Sequence, residues 1–161
     1  MINIMKIRWN KNRETLRKVL SERTDLNTIE YKELVKLTFD VIFNECNHES
    51  NRYAIRTHDQ PLNLNAITKI DDGDYQGTLL FLIPFDTYQP GENEYLMTYI
   101  GYGSCSGCDV LQGLQSFSAN EKLDENQING FMSLCKDIIS NTIRPYNHGW
   151  REDELYLPAE E

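Results

Sequence analysis

"TLLFLIPFDTYQPGENEYLMTYIGY", residues 78–102, decides the fold. Two apolar runs, Thr78–Phe85 and Glu94–Tyr102, flank a loop of turn-forming residues, "DTYQPGEN". Runs joined in this way read as antiparallel strands. Leu79–Ile83 is apolar throughout, which predicts a central strand buried on both faces. Upstream, "AITKI" (66–70) leads into the turn "DDGDYQG" (71–77) and supplies a third strand. "RYAIRTH" (52–58) alternates weakly and offers a fourth. The middle of the chain therefore reads as a meander of three or four strands.

Helical patterns stand on either side. Residues 10–23 suit a charged surface helix with Leu16, Val19 and Leu20 as its apolar stripe. A second helix is predicted to start at Asn27, with Glu30 completing a capping box and Leu26 and Tyr31 a hydrophobic staple. Its apolar positions Tyr31, Leu34, Val35, Thr38, Val41 and Ile42 recur at helical spacing up to about Cys46. The longest stripe, Ile128, Phe131, Met132, Cys135, Ile138, Ile139 and Thr142, predicts a helix over 125–143 that stops before Arg144-Pro145. Strands followed by helices, without a β-α-β alternation, give an α+β class: a three- to four-stranded antiparallel sheet with helices packed against it.

A chain of 161 residues can bury its own core as one domain, assigned here to 1–146, followed by an acidic C-terminal tail, 147–161. No apolar run approaches the roughly 18 residues of a membrane span, and "MINIMKIRWNKNRETL" lacks the apolar core of a signal peptide. A cytoplasmic location without membrane association is expected. The net charge of −9 is uneven: residues 1–36 hold nine Lys/Arg against five Asp/Glu, +4, and the remainder seven against twenty, −13. That surface repels phosphate, which excludes direct nucleic-acid binding over most of it. It suits a basic protein partner, or serves solubility alone. A homo-oligomer is compatible with all of this.

The chemistry-bearing stretch is "YIGYGSCSGCDVLQGL", residues 99–114. Ser106 and Asp109 fit the capping-box spacing, which predicts a helix over 107–117. Cys108 would then sit in its first turn and Cys105 just before it, where free N–H groups and the helix dipole favour thiolates. Four readings follow. Cys105 and Cys108 could form one zinc knuckle, with Cys46 and His48 of "NECNHE" as the other pair of ligands. Strand, C-x-x-C, helix could be a redox dithiol. Gly103-Ser104-Cys105-Ser106-Gly107 fits a nucleophile elbow, which needs a base, and His148 is the only downstream histidine. The leading reading is structural: Gly101, Gly103 and Gly107 build a tight corner, and the cysteines pack as small apolar side chains. The glycine spacing also hints at a phosphate loop, but no following strand completes a dinucleotide unit.

Elsewhere, Asp71, Asp72 and Asp74 share one turn and read as a solvated hairpin in preference to a cation site. His58 beside Asp59 has no third partner for general-base work. Cys135 belongs to the core. Five tyrosines, 75, 88, 95, 99 and 102, surround the sheet and could form an aromatic face.

"DDGDYQGTLLFLI" (71–83) and "YGSCSGCDVLQGL" (102–114) together resemble small proteins of bacteriophages and prophages of low-GC bacteria. In that group a D-Y-Q-G-T strand start precedes a Y-G-S-C-S-G-C-D corner. The resemblance spans the middle third of the chain and carries over no catalytic residue. It implies a setting, the cytosol of a bacterial host cell. The function expected is a non-enzymatic accessory protein that binds a host or host-defence protein, with no cofactor. Its contacts are expected at Trp150, Glu152, Asp153, Glu154 and Tyr156. The runner-up is a zinc-binding or thiol-active protein using Cys105 and Cys108.

Overall fold

The two apolar runs of the sheet pair as their pattern predicts. In a computed structural model that describes residues 2–43, 61–115, 122–143 and 156–157, they form strands β3 (Gly77–Pro84) and β4 (Tyr95–Tyr102). With β2 (Thr68–Asp71) they make an antiparallel sheet in the order β2-β3-β4. The register sets Leu80 opposite both Ile70 and Tyr99, and Phe81 opposite Lys69 and Thr98. The possible fourth strand, 52–58, lies outside the described residues.

Strand β3 is central, but only one of its faces is sealed. Leu79, Phe81 and Ile83 are buried, as are Leu96, Thr98 and Ile100 beside them on β4. Leu80 and Leu82 point the other way and are half-buried, while Ile70 and Tyr99 on that outer face are exposed. An unbroken apolar run therefore conceals an ordinary strand alternation, because aliphatic residues also occupy the open face.

Helices cover the sealed face. Helix α1 (Ile4–Glu22) packs on α2 (Tyr31–Ile42) and on α4 (Glu125–Ser140). The shared core includes Leu16, Leu20, Leu34, Phe39, Phe81, Phe131 and Ile138, all fully buried. The Thr98 hydroxyl fastens α4 to the sheet by donating to Ile138 O at 2.6 Å. Asn12 Nδ2 donates to Ile42 O at 3.1 Å and holds α1 against the end of α2. A separate two-residue pairing joins β1 (Ile2–Asn3) to β5 (Tyr156–Leu157), with Asn3 opposite Tyr156. No helix among the described residues is long and apolar enough to cross a membrane.

Helix ends depart from their sequence signals. Helix α1 begins at Ile4, well before Asn10. Helix α2 begins at Tyr31: residues 26–28 form a turn closed by Thr28 N–H donating to Asp25 O at 3.0 Å, so Asn27 does not hold the N-cap place of α2. Glu30 holds the N-cap place with no side-chain bond. The predicted stripe is buried all the same, with Phe39 added to it. Helix α4 has a genuine capping box, Asp124 with Gln127, and stops at Ser140, short of Arg144. Its early end lets Ile143 pair with Met97 as an isolated bridge along the outer edge of β4.

The one-sided burial of β3 has a measurable consequence. Phe81→Ala should lower the unfolding free energy by about 3–5 kcal/mol, and Leu82→Ala by less than half as much. Urea unfolding of both variants tests this; equal losses would mean that both sheet faces are covered.

Candidate dithiol site

Strand β4 ends at Tyr102, and the chain must then reverse to reach the helices. Gly103 makes this possible. A Cβ there would lie 2.4 Å from Cys108 O and 2.8 Å from Cys108 Sγ, so only glycine allows the approach. The turn is closed by Cys105 O, which accepts from Cys108 N at 3.0 Å and from Asp109 N at 2.8 Å. Helix α3 (Val110–Gln115) follows.

The capping residue is not Ser106. Asp109 directly precedes α3, and its Oδ1 accepts from Gln112 N at 2.9 Å. This is the side-chain bond of an N-cap. The turn absorbs Ser106 and Gly107, so the helix starts at Val110, three residues later than the predicted start at Gly107. Cys108 thus lies outside the first turn of α3, and local hydrogen bonds take the place of the expected helix-end field.

Asp109 is 4% exposed and is saturated with donors. Besides Gln112 N, Oδ1 accepts from the Tyr31 hydroxyl at 3.0 Å, and Oδ2 accepts from Gly103 N at 3.2 Å. The Tyr31 oxygen in turn accepts from Leu111 N at 3.3 Å. Burial pushes the Tyr31 phenol well above its ordinary range, and the neighbouring carboxylate adds to the shift. Gln115 Nε2 extends the tie by donating to Leu26 O at 2.9 Å and Ile29 O at 2.8 Å. The corner is thereby bolted to the start of α2.

Above this buried anchor, both thiols face solvent. Cys105 and Cys108 are exposed, which corrects the expectation that they pack as small apolar side chains. Their sulfurs lie 2.7 Å apart. Cys108 Sγ also receives Cys105 N–H at 3.1 Å and stands 3.8 Å from Ser104 Oγ. The Cys105 thiol, the Ser104 hydroxyl and the backbone N–H groups hold the Cys108 thiol below its usual pKa. Cys135, fully buried in α4, is the opposite case: desolvation drives its thiol up to about 12. Its assignment to the core stands.

Cys46 and His48, the other proposed zinc ligands, lie outside the described residues, as do His58 and His148. Among the described residues no group of three or more His, Cys, Asp or Glu could hold a metal ion. In the acidic turn the carboxylates serve the backbone: Asp71 Oδ1 accepts from Gly73 N at 3.1 Å and Asp72 Oδ1 from Thr78 N at 2.7 Å. The Tyr102 hydroxyl donates to Asp71 Oδ1 at 2.6 Å, which pushes the phenol up to about 12. Tyr75 and Tyr88, the most exposed tyrosines among the described residues, lie beyond opposite ends of β3. Of the expected tail contacts, Trp150, Glu152, Asp153 and Glu154 lie outside the described residues, and Tyr156 is placed by its backbone pairing with Asn3.

No family model matches the chain, and no curated protein or solved structure matches it either.

The anchor can be tested directly. Asp109→Ala leaves Tyr31 OH, Gly103 N and Gln112 N without their acceptor, and should cost about 2–4 kcal/mol in urea unfolding. Tyr31→Phe should cost about 1 kcal/mol, and the double variant less than the sum. Additive losses would show that the two side chains act independently.

Proposed function

We propose that this chain is a thiol–disulfide exchange protein, working through Cys105 and Cys108. The observation that carries the reading is the pair of exposed sulfurs held 2.7 Å apart on one turn. A disulfide needs about 2.05 Å, so a small rotation of either side chain brings the sulfurs to bonding distance, and an exchanging substrate disulfide takes up the two electrons and two protons as the bond forms. Two vertices of a zinc tetrahedron would instead lie about 3.8 Å apart for Zn–S bonds of about 2.3 Å. The spacing supports a redox pair better than a half-built knuckle. The lowered pKa of Cys108 supports it too, since the thiolate is the form that attacks.

Equilibration of the reduced protein in glutathione buffers of graded ratio, in a Cys46→Ser background, tests this. Acid quenching and alkylation should reveal a reversible loss of two hydrogens in the peptide that holds Cys105 and Cys108. Buried Cys135 should stay reduced throughout. Thiols that remain alkylatable at every ratio would refute the reading. So would stoichiometric zinc in the wild-type protein that protects both cysteines and is lost in Cys105→Ser/Cys108→Ser.

A second reading is favoured by the charge of −9: an acidic accessory protein that binds a basic host protein. It is expected to give complexes that weaken as salt rises and that lose affinity when residues 147–161 are removed. Salt-independent binding that survives the truncation would count against both the charge argument and the tail contacts.

A further inference from the structure

Granted the exchange chemistry proposed above, we infer that Cys108 is the attacking sulfur and Cys105 the resolving one. The two positions are not equivalent. Cys108 Sγ accepts the Cys105 backbone N–H at 3.1 Å, a donor that the turn holds in place whatever the redox state of the side chains. The Cys105 thiol lies against it at 2.7 Å and the Ser104 hydroxyl at 3.8 Å. No backbone N–H among the described residues donates to Cys105 Sγ. A negative charge is therefore better solvated by the protein on Cys108 than on Cys105. Cys108 Sγ also donates to Cys105 O at 3.3 Å, and that carbonyl is already engaged by Cys108 N and Asp109 N. It accepts a hydrogen bond from the neutral thiol and has no proton to donate to the thiolate.

Placement agrees with this order. Cys108 is pinned between the side-chain-free Gly103 and the buried Asp109, so its sulfur is the fixed one. Cys105 is exposed as well, and its sulfur lies 2.7 Å from that of Cys108, within reach for the second step. In the first step the Cys108 thiolate attacks a disulfide R–S–S–R′. A Cys108–S–S–R bond forms, and R′S⁻ leaves and takes a proton from water. In the second step Cys105 loses its proton to solvent and attacks Cys108 Sγ. The bond between Cys108 Sγ and the sulfur of R breaks, RS⁻ leaves and is protonated, and the Cys105–Cys108 disulfide remains. The protein dithiol gives up two electrons and the substrate disulfide gains them.

Dithiodipyridine, a disulfide whose released thione absorbs light, reads both steps. In a Cys46→Ser background at pH 7, Cys105→Ser should release one thione and keep the other half as a stable mixed disulfide on Cys108. Cys108→Ser should release its thione about tenfold more slowly. Equal rates, or a faster Cys108→Ser variant, would overturn the order of attack. The chemistry itself is judged by the parent protein with both cysteines. Two thiones released and no pyridyl group retained support the exchange reading. Two pyridyl groups retained on the protein would refute it, whichever cysteine reacts first. Ser104→Ala in the Cys105→Ser protein should slow release by less than about threefold, since that hydroxyl is the most distant donor.

Discussion

The Asp109 carboxylate organises the cysteine corner of this molecule. It is buried, it caps α3, and it accepts from the backbone of Gly103 and the phenol of Tyr31. A buried carboxylate without donors would cost several kcal/mol, so its three partners must stay in place together. Those partners belong to β4's exit, to α3 and to α2. One side chain thus joins the sheet, the corner and the helical layer, and the turn between them inherits a fixed geometry.

That geometry explains why two adjacent residues behave oppositely. Asp109 points inward to its donors, so the preceding Cys108 is turned outward. Gly103 lets the Cys108 backbone lie against the end of the strand, where any side chain would collide with it. The turn closed on Cys105 O then brings the second sulfur back to the first. Proximity of the thiols follows from the turn above this anchor, and the bond from Cys105 N–H to Cys108 Sγ helps to hold the pair. Cys135 shows the contrast: the same side chain in the core is desolvated, which pushes its thiol pKa up.

Capping patterns show how far local sequence can be trusted here. Asn27 with Glu30, and Ser106 with Asp109, both have capping-box spacing, and neither starts a helix. Asp124 with Gln127 has it and does. Asp109 with Gln112 has the same spacing, and Asp109 is the true cap of α3; this was the overlooked signal at the site. Overlapping candidates, Ser106 and Asp109, compete for one helix start. Local propensity hardly separates them, and the donor from Tyr31, 78 residues away, favours Asp109. Helix α4 ended early for a similar reason, since Ile143 gains a partner in Met97 that a longer helix would deny it.

The sequence by itself determined what depends on neighbours along the chain. The three strands and their order, the apolar stripes of α2 and α4, the core place of Cys135 and the α+β class all follow from periodicity and turn chemistry. Periodicity reports which side chains lie on one face, so burial of those stripes was legible. Tertiary structure alone decided which face of β3 was sealed, where α1, α2 and α3 start and where α4 stops, and that Cys105 and Cys108 face solvent above a buried Asp109. Those outcomes turn on partners distant in sequence. A cap, a helix end or an exposed thiol differs from its alternatives by only about 1–2 kcal/mol locally, and one long-range hydrogen bond is enough to choose between them.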